Sequence, residues 1–308
     1  MSDIEMTGEL FVPLSEDERP LSESLARPSA SYWKDAWARF RRDRLAMASL
    51  VVLLAIGLTA IIYPELTVYE YDGQDLAAQN QGPSAAHAFG TDKFGRDILV
   101  RVCYGARISL TVGLVAAAIN MVVGVVYGGI SGYFGGRVDM VMMRIVDILI
   151  GLPSLLYIIL IMMFLGNTVQ SILIALCLTY WISTARMVRT QVLSLKNQEY
   201  ALAAKVLGAS DIRIIFRHLI PNSIGPIIVT VTFLIPQAIF SEAFLSFLGI
   251  GIQIPMASWG TLVNDAIPTL FTQPYQMLFP AIAISLTIFA FNFIGDGLRD
   301  ALDPRLKR

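Results

Sequence analysis

Residues 199–222 read EYALAAKVLGASDIRIIFRHLIPN, a polar stretch set between two long apolar runs, 169–185 and 224–240. Its pattern holds two short helices. Ala201, Ala203 and Ala204 are strong helix formers without bulk, so another backbone can approach them. Gly208 stands where a helix would stop and suits the left-handed residue beyond a C-terminus. Ser210 or Asp211 can cap a second helix. There Ile212, Ile215, Phe216 and Leu219 recur at i, i+3, i+4 and i+7, with Arg213 and Arg217 off that stripe. Pro221 ends it. An apolar helix face on an aqueous loop needs cover. The spacing predicts a docking surface; an amphipathic helix resting on lipid headgroups is the alternative.

What surrounds the loop is apolar. The 308-residue chain is 55% hydrophobic and 15% charged, with a mean hydropathy of +0.62, outside the range of soluble globular domains. Runs at 45–63, 108–130, 148–165, 169–185, 224–240 and 278–294 each approach the roughly 17–25 residues that cross a bilayer. The expectation is an all-α polytopic membrane protein of six transmembrane helices. The first 30 residues are polar and acidic, without the apolar core of a cleavable signal, and are expected to be a disordered cytosolic tail. Residues 31–44 mix Tyr32, Trp33, Trp37 and Phe40 with Lys34, Arg39, Arg41, Arg42 and Arg44, as an interfacial helix does.

Of the 23 Lys and Arg, 19 fall in the tails and loops on the side of the N-terminus and four, Lys93, Arg96, Arg101 and Arg107, on the other. By the positive-inside rule both termini and loop 199–222 face the cytosol. Residues 64–107 then form an extracytoplasmic cap, 108–298 the core of spans two to six with the loop region 190–222 inside it, and 299–308 a cytosolic tail.

Inside the cap, FGTDKFGRDILVRVCYGARISLTVG, residues 89–113, leads into the second span. Thr91 and Asp92 make a turn, Gly95 relaxes the backbone, and Asp97 can start a helix and pair with Arg101. A folded cap accounts for these residues; contact of Asp92, Arg96 and Asp97 with a soluble partner is the other use. In the second span Gly124, Gly128 and Gly132 recur every four residues, with Gly113 and Ala117 on nearly the same face, which predicts close helix packing or a hinge. Arg144 and Asp147 are spaced to pair, Arg186 and Arg189 to anchor the fourth span, and Pro153 to kink the third.

Several chemistries are missing from the sequence. There is no GxxxxGK[ST] phosphate loop, no GxSxG and no HExxH. His87 and His218 have no partner at ligand spacing, and Cys103 and Cys177 form no metal or redox pair. No catalytic, metal or nucleic-acid site is expected. The spans carry no ionisable residue near their middle, as an ion-coupled carrier would need. Transport by this chain would need energy from elsewhere. A passive channel or ion-coupled carrier, and a membrane scaffold, are the readings from other classes.

Two motifs bear on the source of that energy. Glu199, Ala203, Gly208, Ile214 or Ile215, and Leu219 to Pro221 resemble the EAA…G…I-LP coupling loop of ABC importer permeases. Residues 89–109 resemble the FGTD-x-x-GRD-x-x-R-x-x-x-G-R-x-S signature of the peptide/nickel branch of those permeases, specifically its C-type subunit. LSFLGIG at 245–251 and GDGLRDALDPRL at 295–306 are similar to that family too, so the resemblance covers about residues 33–308. It implies a type I ABC importer permease fold in a bacterial cell membrane and import of oligopeptides, with dipeptides or nickel as alternatives. It also implies a homologous B-type permease, two ATPase subunits that hold ATP and magnesium, and an extracytoplasmic substrate-binding protein. In that frame Glu199, Ala203, Ala204, Gly208, Asp211, Ile215, Phe216, Leu219 and Pro221 engage the ATPase, and Thr91, Asp92, Gly95, Arg96 and Asp97 form the outer cap.

Overall fold

A computed structural model describes residues 32–253 and 256–303; the acidic tail expected at 1–30 and residues 304–308 lie outside them. The described residues are helical and loop segments, with a single isolated bridge between Thr91 and Asp97. Helix α1, Tyr32–Phe40, corresponds to the expected interfacial helix. It buries Ala36 and Phe40 and leaves Trp33 and Trp37 half-exposed, the division that lets aromatics sink into headgroups. The Tyr32 hydroxyl donates to the Leu302 carbonyl at 3.0 Å, which ties this helix to the far end of the chain.

Asp43 then caps α2, Arg44–Leu66, accepting from the backbone N–H groups of Leu45 and Ala46. The next long helix, α3, runs Ile98–Phe134. At 37 residues it is about 55 Å long, well beyond the roughly 30 Å hydrocarbon layer. It therefore begins inside the cap and ends in the loops of the other face, ten residues earlier and four later than the apolar run alone suggested. After a break at Gly135 come α4, Gly136–Gly151, and α5, Ser154–Leu165. The remaining helices are α6, Val169–Leu195; α7, Glu199–Val206; α8, Asp211–Ile214; α9, Ile220–Asn222; α10, Ile224–Phe247; α11, Trp259–Ala266; and α12, Tyr275–Leu302.

Five of these helices are long and apolar enough to cross a membrane, and α4 with α5 makes a sixth if the bent pair counts as one span. That pair corrects the expected third span. The run 148–165 is not one helix kinked at Pro153; it straddles a break at Leu152 and Pro153 where the axis turns by 85°. Proline cannot donate, and it forces its predecessor out of helical geometry. Leu152 accordingly takes an extended ψ of 133°.

The α3–α6 seam is where the glycine spacing has its effect. A Cβ on Gly124 would meet the Thr184 side chain, on Gly128 the Ala185 carbonyl, and on Gly132 the Arg189 carbonyl at 2.8 Å. Each glycine faces α6, so the spacing is packing and not a hinge. Gly113 lies on nearly the same face, eleven residues and so about three turns before Gly124, but at that height the neighbour is α10 and a Cβ there would meet Ile239. A buried carboxyl joins the same pair of helices: Glu242 of α10 accepts from Ser109 of α3 at 2.8 Å and from Ser246 at 2.9 Å.

The expected Arg144–Asp147 pair is replaced, and Arg189, expected as an anchor, finds a carboxylate. Asp147 pairs with Arg186 at 2.6 Å and not with Arg144, and Arg189 grips Asp139 through two bonds of 2.5 Å. Both join α4 to α6.

Candidate functional site

The loop after α6 is built as the alanines and glycine dictate. Helix α7 buries Ala201 and leaves Glu199 and Ala203 exposed and Ala204 half-buried. Gly208 sits at φ +83°, the left-handed conformation that a side chain would strain. Its N–H donates to Lys205 and that of Ala209 to Ala204, both at 3.0 Å, closing the helix end. Ser210 is extended and precedes α8 without a side-chain cap. Asp211 does not cap either; its carboxylate accepts from the Tyr133 hydroxyl at 2.6 Å.

Past α8 the backbone widens into a π turn, Ile215–Leu219, and continues into α9. Pro221 therefore does not end the helix. It occupies the first turn of α9, where its missing N–H is tolerated, and the helical path runs to Asn222. The extra residue in the π turn also redistributes the expected apolar stripe. Ile214, Ile215 and Leu219 are buried, and Ile214 and Leu219 cluster with Val188, Val192, Ala201 and Ile227. Ile212 and Phe216 point outward, 70% and 45% exposed. Stripe spacing alone put all four on one face. The widened turn rotates two of them away.

The outward side chains are apolar at the turn. Val206 and Leu207 are each 87% exposed, and Ile212 and Phe216 after it are exposed in part, with Lys205, Arg213 and Arg217 also exposed. Of the nine residues expected to engage a partner, Ile215 and Leu219 hold the loop from within. Phe216, Gly208, Glu199, Ala203, Asp211 and Pro221 are outward. Val206 and Leu207 were not among the nine, yet two aliphatic residues ahead of a helix-stopping glycine in a polar loop were a visible signal. Lys196 adds a tether by donating to the carbonyls of Gly132 at 2.9 Å and Tyr133 at 3.2 Å. Burial raises the Tyr200 phenol above its ordinary range, so this side chain stays neutral at physiological pH.

At the opposite end of α3 the cap turns inward. Thr91, Asp92, Arg96, Asp97 and Arg101 are all buried. One Asp92 oxygen accepts from the N–H groups of Phe94 and Arg96, and the other from Arg96 and Arg101 side chains at 2.6 Å each. Asp265, next to the end of α11, receives the same two guanidiniums at 3.5 and 3.4 Å. Asp97 caps α3 through Val100 and meets His87 at 2.9 Å. The expected Asp97–Arg101 pair is thus not formed: the capping geometry turns Asp97 toward Val100 and His87, and Arg101 finds Asp92. His87 is a satisfied core histidine. Gly95, at φ +73°, lies against the Asp75 carbonyl, which a Cβ would overlap. Thr91 completes the turn, donating to Ala78 and accepting from Gln81.

Among the described residues no group of three His, Cys, Asp or Glu is arranged to hold a metal, and Cys103 and Cys177 are both free thiols. What the chain offers is an exposed apolar tip at one end of α3 and a charge network at the other.

Comparison with known proteins gives this arrangement its context. Residues 124–308 match the family described as binding-protein-dependent transport system inner membrane component. Residues 31–83 match the N-terminal TM domain of oligopeptide transport permease C. The chain is 50% identical over 305 residues, 99% of its length and 95% of the relative's, to the dipeptide transport system permease protein of Bacillus subtilis. It is 50% identical over 287 residues, 93% and 94% of the two chains, to the oligopeptide transport system permease protein of the same organism. It is 46% identical over 293 residues, 94% and 97%, to the oligopeptide transport system permease protein of Escherichia coli.

Proposed function

Because the chain belongs to the family of binding-protein-dependent transport system inner membrane components, we propose that its exposed loop tip is the handle through which an ABC peptide importer is driven. The chain is a permease subunit of the type I fold and forms one half of the translocation path for peptides. Relatives named for oligopeptide and for dipeptide transport align over nearly the whole chain at the same identity, so oligopeptides and dipeptides are both within the cargo class. A homologous B-type permease supplies the other half of the path. Two ATPase subunits dock on the cytosolic loops, and an extracytoplasmic binding protein delivers peptide to the outer side. The assembly sits in a bacterial cell membrane with both termini of this chain in the cytosol.

The carrying observation is the loop's division of labour. Ile214, Ile215 and Leu219 anchor it, while Val206, Leu207, Ile212 and Phe216 face outward. Burying that apolar tip in an ATPase cleft yields about 25 cal/mol per Å². A rigid handle also transmits a rotation that a loose one would absorb. ATP binds and is hydrolysed on the partner subunits; closing them moves the handles together, and the helices switch the path from one side of the membrane to the other.

The test replaces Val206 and Leu207 together by Asp in the full complex. The variant chain inserts and pairs with the second permease, but loses the ATPase subunits on purification and loses ATP-dependent peptide uptake. Retained ATPase with normal uptake overturns the docking assignment. Uptake by the native complex that persists without ATP overturns the importer reading in favour of a channel.

A further inference from the structure

We infer that the cavity at the α4–α5 break is this chain's share of the compartment that holds the peptide main chain during passage, an assignment that rests on the importer reading above. The cavity measures about 550 Å³ and lies between the break at Leu152 and Pro153, α6 and α10. Its lining sets neutral polar side chains, Ser154, Tyr157, Thr179, Tyr180, Ser183 and Gln237, among the aliphatic residues that a membrane helix ordinarily carries. Arg186, at its edge, is ion-paired with Asp147 at 2.6 Å.

Gln237 decides the character of this face. It lies in the middle of α10, Ile224–Phe247, and it is exposed. Among the described residues neither Gln237 nor Tyr157 has a side-chain hydrogen-bond partner. An amide with two donors and an acceptor cannot face hydrocarbon at that depth without losing all of them. The face is therefore turned to water or to a polar ligand. Tyr180, by contrast, is spent internally on Ser241, Thr179 on the Ala175 carbonyl and Ser183 on the Tyr180 carbonyl, so Gln237 and Tyr157, with Ser154 beside the break, are the groups left to bind.

Their chemistry selects the ligand. Side-chain amides and hydroxyls pair with the N–H and C=O that every peptide repeats, and no unpaired charge or deep apolar slot reads one side chain over another. The 85° turn between α4 and α5 makes the space, since a straight span would close it. The 550 Å³ falls in the size range of a small-molecule site, which fits a few residues of extended peptide, with the rest of the compartment contributed by the second permease.

The experiment uses the complete importer in proteoliposomes with radiolabelled dialanine and tetra-alanine as probes. Gln237→Leu, alone and with Tyr157→Phe, raises the KM for uptake three- to tenfold, and by the same factor when the alanine side chains are replaced by Leu or Ser. A thiol placed by Ser183→Cys, with Cys103 and Cys177 changed to Ser, reacts with a water-soluble maleimide, and saturating peptide slows that reaction. Unchanged KM in a variant assembled to the native amount overturns the assignment, as does a thiol that the reagent never reaches, which would place this face against lipid or the second permease. In both cases ATP-driven uptake by the native complex continues, so the importer reading stands or falls separately.

Discussion

The two ends of α3 solve opposite problems. Near Ile98 the chain buries two guanidiniums in one network, Arg96 and Arg101 against the buried Asp92 and the half-buried Asp265. Near Phe134 it leaves aliphatic side chains in the open, Val206, Leu207 and Ile212, on a loop anchored from within by Ile214, Ile215 and Leu219. A buried charge left without its partner is costly, and of this network's buried side-chain atoms only the Arg101 Nε lacks one, so the cap depends on its carboxylates as a unit. Exposed aliphatic surface of this kind marks a place that another molecule covers, and the loop is the end that we propose a partner completes. One helix thus joins a part that is finished within the chain to a part that is not.

The largest effect that would test this contrast lies in the cap. Asp92→Ala leaves two buried guanidiniums with Asp265 alone, at longer distances. Removing one partner of a buried pair costs about 3–5 kcal/mol. The expected outcome is little folded protein in the membrane, read by fluorescence-detected size-exclusion of the tagged complex. Near-native yield would mean the cap tolerates an open network and does not depend on its carboxylates as a unit.

A smaller effect is expected within the loop. Leu219 is fully buried under the π turn, and truncating a buried leucine to alanine costs about 2–5 kcal/mol where the site cannot collapse. The loop is a local unit, so Leu219→Ala should leave the spans assembled. It should raise protease sensitivity between α7 and α9 and lower ATP-driven uptake. A loss of the whole protein as severe as in Asp92→Ala would erase the distinction between the two ends.

How much of this was written in the residues differs between the same two regions. The turn at Gly95, the cap by Asp97 and the glycine seam follow from local rules that a sequence displays directly. The partners of Arg101, Asp147 and Arg189 do not, because each reaches a residue that only tertiary packing brings near. Arg101 meets Asp265 from 164 positions away. In the loop, Gly208 and the short alanine helix were legible. The fate of Ile212 and Phe216 was not, since a single π turn rotates them and nothing in the composition of IFRHL announces it. The broken span is similar: Pro153 marks the position, but the size of the turn is set by how α5 lies on α6.

The subtlest test falls where α3 touches the loop. Tyr133, next to the last residue of α3, donates to Asp211 at the start of α8, and the pair is solvent-exposed. A hydrogen bond of this kind is worth about 1 kcal/mol net, too little to hold the loop by itself when Lys196 and the buried Ile214 and Leu219 also do so. Tyr133→Phe should therefore leave the complex assembled and lower ATP-driven uptake by less than about tenfold, since 1.4 kcal/mol is a factor of ten. Adding Lys196→Met to it removes both polar ties. If α3 and the handle move as one body, the double variant loses more uptake than the two single losses multiplied, because either tie suffices while the other remains. If the losses simply multiply, the buried residues alone carry motion between handle and helix, and the polar ties only trim its amplitude.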